Sequence, residues 1–472
     1  MINFEPVQHQ TQHIHFIGIG GIGMSAIAEI LLQFGYKISG SDMKSSKITE
    51  KLKKQGVEIF LGHHPDHLPL CDLVIYTTAV KEDNPELVRA RELNIPAISR
   101  AEALGLLMKK FANSIAVSGT HGKTTTTSMI SLILEHSGFD PTILVGGELD
   151  EIGGNVKIGN SNYLVTEACE YKGNFLNLFP KIGVILNIDL DHLDYFKNIQ
   201  HITDTFTKFG QLIPEDGFLI AFADDPNVQQ ILPYMHCNII TYGLNSNADY
   251  RAVNISLDEN GFPVFDVNAQ GQPLGQFHLS IPGKHNVCNA LASIACCRTL
   301  GVPAEQIKKF LSVFKGTHRR FDILGIVDGI TVVDDYAHHP TEVRATLAGA
   351  AKVPHNRIWS VFQPHTYTRT KALLHDFARS FAEADKIIIT DIYAAREADT
   401  GIIHAKDLAE AIRKQHKDVI YNHDFHQIVE YLKKEIQPKD LILTMGAGNI
   451  YQVGQMLLES LHAEKEKVAH SS

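Results

Sequence analysis

Apolar residues gather in short runs separated by polar turns, and the spacing inside and between the runs predicts the elements. A run at 13–17 leads into the glycine-rich turn 18–23, after which apolar residues recur at helical spacing from 24 to 34. That order is strand, tight turn, helix. Further runs at 72–77 and 95–98 alternate with helical stretches, which predicts a small doubly wound α/β unit ending near 109–113. A second strand-like run at 114–118 is followed by a glycine-bearing loop and a threonine-rich helix from Lys123. Later runs at 163–165 and 182–188 end close to acidic residues or histidine, on the side where open parallel sheets hold ligands. From 330 onward, runs at 330–333, 358–362, 386–390, 418–421 and 441–445 again alternate with helical stretches rich in Leu and Ala.

The expectation is an α/β protein of three α/β domains in series. A Rossmann-like domain occupies 1–112, a P-loop ATPase-like domain 113–315, and a second Rossmann-like domain 316–472. A length of 472 residues suits about three domains of roughly 100–200 residues each.

Charge then removes several function classes. Forty-three Lys and Arg against 53 Asp and Glu leave a formal charge of -10, which argues against a nucleic-acid or anionic-membrane partner. No segment offers eighteen uninterrupted apolar residues, and the amino terminus lacks a basic stretch leading into a long apolar one. A cytoplasmic protein is expected. The cysteines at 71, 169, 237, 288, 296 and 297 form no CxxC pair, so reduced, mostly buried thiols are expected. His63, His64 and His67 read as surface loop histidines rather than metal ligands.

Two loops carry candidate chemistry. Residues 118–124, SGTHGKT, resemble a phosphate-binding loop: small residues let backbone N–H groups approach an anion, and Lys123 can reach the outer phosphates. Thr124 offers a hydroxyl to magnesium. The first glycine of the general GxxxxGK[ST] pattern is missing, since position 117 is Val, while a glycine stands at 119. The loop with Gly18, Gly20, Gly21 and Gly23, with Asp42 about twenty residues on, would alone suggest a dinucleotide fold. The same physics serves a UDP-sugar, because any pyrophosphate can sit on the helix N-terminus.

The segments GIGGIGMSAIAEIL, GTHGKTTTT, EACEY, NIDLDHLDYF, GKHNVCNALA, THRRFD, DDYAHHPTEV, FQPHTYTRT, TDIYAAREAD and LTMGAGNIY run in order from 18 to about 451. In that order they resemble the Mur ligase family, over nearly the whole chain. The resemblance implies ATP-dependent joining of L-alanine to the carboxylate of UDP-N-acetylmuramate, with ATP as cosubstrate and two Mg2+ ions. It places ATP on Gly119, Thr120, Gly122, Lys123, Thr124, Thr125, His285, Asn286, Arg320 and Asp335. UDP-sugar falls to Gly18, Gly20, Gly21, Gly23 and Asp42, and the amino acid to Tyr336, His338 and Arg369. Metal ligands are Thr124, Glu167 and His192, and the catalytic set is Lys123, Glu167, His192 and His338.

Several of these positions carry a second reading. Asn289 is a helix cap or packing residue as readily as a ligand contact. His338 and His339 suit either a general base or substrate positioning, and Glu397 is a pocket or a structural residue. Thr366 stands where some relatives carry Arg, leaving a carboxylate one basic partner fewer, and Asn449 where Asp is common. The rival readings are a tripeptide-adding ligase of the same fold, an NAD-dependent oxidoreductase using the first loop, and a nucleotide sensor that keeps the folds without turnover. The second leaves GTHGKT without a purpose.

Overall fold

The computed structural model describes residue 4 and residues 12–192, 195–245, 247–395 and 397–471, with side chains as far as 465. Three sheets follow one another along the chain. The first is parallel throughout, in the order Glu58–Leu61, Lys37–Asp42, His13–Ile17, Leu73–Tyr76, Ala97–Ser99. His13–Ile17, buried along its length, is the strand at which chain direction across the sheet reverses. Its carboxyl end is therefore the topological switch point, and the 18–23 loop starts there.

The central sheet has ten strands. Its middle is parallel, with Asn113–Ser118 between Ile182–Ile185 and Tyr163–Glu167. Tyr250–Leu257 and Thr142–Leu149 join its two ends in parallel, and antiparallel pairings extend from them: Pro263–Ala269 and Gln272–His278 beyond the first, Gly154–Lys157 beyond the second. In the six-stranded C-terminal sheet, Ile330–Asp335, Leu441–Met445, Ile358–Phe362, Lys386–Ile389 and Val419–Tyr421 run parallel, and Asp322–Val327 closes the edge antiparallel.

Why the phosphate loop is followed by a helix needs tertiary packing. Thr124, Thr125, Thr126 and Thr127 are weak helix formers. All four are nonetheless buried in helix Lys123–His136, which shares an apolar core with helix Lys284–Thr299. Burial against the sheet and that second helix outweighs propensity. Ser128 Oγ donates to Thr124 O at 2.8 Å, so a buried hydroxyl is satisfied within the helix. Among the described residues no helix is long and apolar enough to cross a membrane.

Candidate active site

The first glycine loop is held by its own backbone. Gly18 has φ +84°, a left-handed conformation suited to glycine, and a Cβ there would lie 2.6 Å from the Thr77 side chain. Gly18 N–H donates to Ser41 O at 2.8 Å and Gly20 N–H to Asp42 Oδ2 at 2.8 Å. Asp42 thus already caps a loop amide. Gly21 precedes helix Ile22–Gln33 without a side-chain cap, leaving the first-turn amides for a ligand. A Cβ on Gly23 would lie 3.0 Å from Arg100 Nη1, so a guanidinium faces this helix start. The sequence reading missed Arg100.

Beneath the loop lies a buried polar network. Glu86, fully buried, accepts from His15 Nε2 at 2.8 Å, Ser41 Oγ at 2.8 Å and His63 Nδ1 at 2.7 Å. Burial alone would raise the Glu86 carboxyl, but these hydrogen bonds outweigh it and hold the group below its ordinary value. His63 is therefore not a surface loop histidine: a carboxylate inside the unit draws it in.

The second loop is organised by charge. Gly119 takes φ +142°, where a Cβ would lie 2.9 Å from Leu186 and 3.2 Å from the amide of Asn187, while Gly122 takes φ +86° at the helix N-cap. Lys123 Nζ donates to Glu170 Oε2 at 2.9 Å, to Thr120 O at 3.1 Å and to Gly119 O. Burial disfavours the ammonium, but the Glu170 carboxylate raises its pKa, so Lys123 stays charged. His192, with φ +52°, brings Nε2 to 3.7 Å from Glu170 Oε1, and its ring meets that of Tyr171 at 4.8 Å, tilted by 40°. The carboxylate of Glu167 accepts from Gly146 N–H at 2.6 Å and adds to the negative charge that keeps Lys123 protonated. The carboxylate beside Lys123 and His192 is thus Glu170, which sequence reasoning passed over within EACEY. The signal was there, because a buried P-loop lysine needs an acidic partner.

A cavity of about 510 Å³ opens between the central and C-terminal sheets. Gly122, Thr125, His285, Asn286, Arg320 and Asp335 line it together, as does Asn289. Asn289 Nδ2 donates to Asn286 Oδ1 at 3.0 Å, and Asn286 Nδ2 to Pro282 O at 2.7 Å, which fixes both amides at the cavity wall. Gly283, at φ +100°, makes room for the His285 ring, which a Cβ would approach to 2.5 Å. Burial lowers His285 to about 4, so its ring is neutral. Asp335 accepts from Phe321 N–H at 2.8 Å and Ala337 N–H at 2.7 Å, and burial raises it to about 6.

Tyr336, His338 and Arg369 do not line this cavity; Tyr336 follows Asp335 of its wall, and His338 Nδ1 lies 3.2 Å from Glu342 Oε2, another wall residue. The rings of Tyr336 and His338 meet edge to face at 5.3 Å. His338 Nδ1 faces Tyr336 O at 2.9 Å, and burial lowers the ring to about 4, so Nδ1 carries the proton and Nε2 is the acceptor. Arg369 reaches across to the central unit: Nη2 and Nε donate to Asp191 Oδ1 at 2.8 and 3.1 Å, and Nη1 faces His365 Nδ1 at 3.1 Å. The guanidinium assigned to a substrate carboxylate therefore already holds one, from Asp191. Thr366, three residues earlier, has φ +63°, strained for a β-branched residue. Glu397 accepts from Thr368 N–H at 3.0 Å, which ties it to the turn ahead of Arg369.

Comparison with known proteins follows the same three units. Residues 13–112 match the model described as Mur ligase family, catalytic domain; 117–297 match the Mur ligase middle domain; and 319–448 match the Mur ligase, glutamate ligase domain. The chain belongs to the Mur ligase family. It is 57% identical to a UDP-N-acetylmuramate–L-alanine ligase of Alkaliphilus metalliredigens over 97% of this chain and 99% of that protein. The enzyme of the same name from Acetivibrio thermocellus is also 57% identical, with 98% of each chain covered. Among solved structures, the UDP-N-acetylmuramate–alanine ligase of Thermotoga maritima superposes with a TM-score of 0.82 at 31% identity, covering 96% of this chain and 99% of that one. A murein peptide ligase from Psychrobacter arcticus gives 0.70 at 27% identity, covering 95% and 98%. As in other members of the Mur ligase family, three α/β units stand in series along this chain.

Proposed function

We propose that this Mur ligase joins L-alanine to the carboxylate of UDP-N-acetylmuramate at the expense of ATP, in cytoplasmic synthesis of cell-wall precursor. The observation that carries the reading is one cleft lined by the phosphate loop, Arg320, Asp335 and His285, with His338 and Arg369 beside it, in a chain 57% identical to ligases of that name. The division of labour we infer puts the UDP-sugar in 1–112, ATP in 113–315 and the amino acid in 316–472.

In this reading the sugar pyrophosphate lies over the loop of Gly18, Gly20, Gly21 and Gly23, on the first-turn amides at Gly23 that no side chain caps, with Asp42 ordering the loop. ATP phosphates lie on Gly119, Thr120 and Gly122, and Lys123 leaves Glu170 for the outer phosphates. The sugar carboxylate attacks the γ-phosphorus, ADP leaves, and an acyl phosphate remains. The amine of alanine attacks that carbonyl and inorganic phosphate departs. No protein nucleophile is required, so positioning and fixed charge supply the catalysis.

Thr124, Glu167 and His192 fit magnesium beside the phosphates. Oxygen donors dominate, and Gly146 keeps the space at Glu167 open, since a Cβ there would lie 2.8 Å from its carboxylate. We infer two ions, one on Thr124 and one on Glu167 and His192, with Glu170 adjoining the second. When bound, magnesium shields the charge of the transferring phosphoryl group. His338, neutral with Nε2 free of its proton, accepts a hydrogen bond from the alanine amine. Alanine's carboxylate takes Arg369 in exchange for Asp191.

ADP release with UDP-N-acetylmuramate and, in turn, L-alanine, L-serine, glycine or a murein tripeptide tests the assignment. Turnover is expected with alanine; turnover with the tripeptide alone, or NAD binding in place of the UDP-sugar, would overturn it. For the acceptor pocket, Arg369→Ala is expected to raise KM for alanine roughly ten- to a hundredfold, since a charge-assisted pair is worth about 1.5–3 kcal/mol. Lysine rescues only partly, lacking the planar fork. Unchanged alanine saturation with impaired ATP saturation would place the pocket elsewhere.

A further inference from the structure

Three side chains from two units converge beside the phosphate loop. His121 belongs to the loop, Asp189 follows strand Ile182–Ile185, and His339 is the N-cap of helix Pro340–Ala350 in the C-terminal unit. Each offers one ligand atom, and the three atoms lie within 4.8 Å of one another. The two imidazole rings are 4.8 Å apart, tilted by 39°. His121 Nε2 and His339 Nε2 are both buried without a hydrogen-bond partner, and His339 is 4% exposed. Buried ring nitrogens ordinarily find partners. Here one of them, His121 Nε2, faces the Asp189 carboxylate, with Oδ2 3.6 Å away.

The surroundings orient these groups as metal ligands are oriented. Glu342 Oε1 lies 3.2 Å from His121 Nδ1, the carboxylate–histidine arrangement that orients a metal-binding ring. Against the lowering by burial, Asp189 and Glu342 raise His121 to about 9, so Nε2 carries a proton that an ion must displace. Thr341 Oγ1 donates to Asp189 Oδ2 at 3.0 Å. Two imidazoles and one carboxylate make a softer set than magnesium prefers, and three protein ligands leave a fourth position for water or a phosphate oxygen.

We propose that His121, Asp189 and His339 form a zinc site, distinct from the magnesium positions and tying the phosphate loop to the C-terminal unit. On binding, zinc displaces the proton at His121 Nε2. His339 turns its Nε2 to the ion by giving up the 3.3 Å bond its Nδ1 accepts from Thr341 N–H. The bonds that Glu342 Oε2 accepts from the amides of His338 and His339, at 3.0 and 3.3 Å, are kept, so half of the capping box remains while Thr341 N–H loses its acceptor. Since His121 also lines the nucleotide cavity, zinc there holds the loop against the C-terminal unit whichever amino acid is joined.

The test is calorimetric titration of the chelator-stripped full chain with zinc under saturating magnesium, with cobalt absorption as a second probe. One zinc per chain is expected, with affinity at least tenfold weaker in H339Q and in D189N and unchanged in H192Q. Cobalt should give intense four-coordinate visible bands that both of the first two variants lose. Wild-type affinity in H339Q and D189N, loss of binding in H192Q, or only weak six-coordinate cobalt bands would overturn the proposal. Circular dichroism melts establish that each variant is folded, and D189N leaves the helix cap untouched.

Discussion

The two glycine loops, 18–23 and 119–124, begin alike and end differently. Each follows a buried parallel strand and opens a helix, and each uses a left-handed glycine to turn. The first holds no charged side chain of its own. Gly21 is exposed, with nothing nearer than 3.5 Å to a Cβ added there, and Asp42 braces the loop from a neighbouring strand. The second is walled in by Leu186, Asn187 and Asn289 and holds a buried ammonium against Glu170. One loop offers amides to an approaching pyrophosphate; the other is a sealed, charged cradle that can act on what it holds. A shared glycine pattern thus says where an anion can sit, and the side chains around it say whether chemistry follows.

The sharpest way to break this contrast is Lys123→Ala. ADP release is expected to fall at least roughly 10²–10³-fold, on the scale of losing one transition-state donor. Calorimetric affinity for the UDP-sugar should stay within a few-fold, and equal loss of both would show that the loops share one ligand. Next comes the pair Gly122→Ala and Gly21→Ala. At Gly122 the new Cβ faces Asn289 Oδ1 at 2.6 Å with φ +86°, whereas at Gly21, with φ -68°, it meets nothing closer than 3.5 Å. ATP saturation in initial-rate assays should worsen more than tenfold in the first, about 1–2 kcal/mol of left-handed strain plus the clash, while UDP-sugar binding in the second stays near wild type.

A third test reaches below the first loop. Glu86→Ala leaves buried donors of His15 and Ser41 unsatisfied, at a cost of about 1–3 kcal/mol in urea unfolding. In the native chain Glu86 is held below its ordinary 4.5, so its stabilisation is complete above pH 4.5 and is lost as pH falls through the folded value. The acid limb of stability against pH should therefore be shallower in the variant; an identical limb would remove Glu86 from the account. Smallest is Asp42→Asn, which keeps an acceptor for Gly20 N–H but not the charge. UDP-sugar affinity should shift only a few-fold by calorimetry and ATP saturation not at all, whereas a large gain in NAD affinity would change the first loop's ligand.

Much of the frame was legible because buried parallel strands read as continuous apolar runs. The runs at 358–362 and 441–445 are the strands Ile358–Phe362 and Leu441–Met445. The antiparallel flanks of the central sheet were not legible. Tyr250–Leu257 and Gln272–His278 expose much of their length, so Arg251, Asn254 and Gln276 interrupt any run, and register comes from hairpin pairing that local sequence does not encode. Of the cavity lining, Gly122, Thr125, His285, Asn286, Arg320 and Asp335 were named through family resemblance, whereas Asn187, Asp224 and Asn227 were not, and Gly119, Thr120, Lys123 and Thr124 lie outside the lining. The charge partners were not legible: Glu170 for Lys123, Asp191 for Arg369 and Glu342 for His121 are 47, 178 and 221 positions away, joined only by folding.

The pairing of Lys123 with Glu170 also bears on selectivity among anions. Without nucleotide the cradle is close to electroneutral, because its ammonium is already matched by a fully buried carboxylate. A bare phosphate entering must compete with Glu170 for the same cation and leave that carboxylate uncompensated in a poorly solvated place. A nucleotide that arrives with its own divalent cation carries the replacement partner with it. The loop is thereby biased toward metal-complexed triphosphate and away from the free phosphate that a ligase of this kind releases at every turnover.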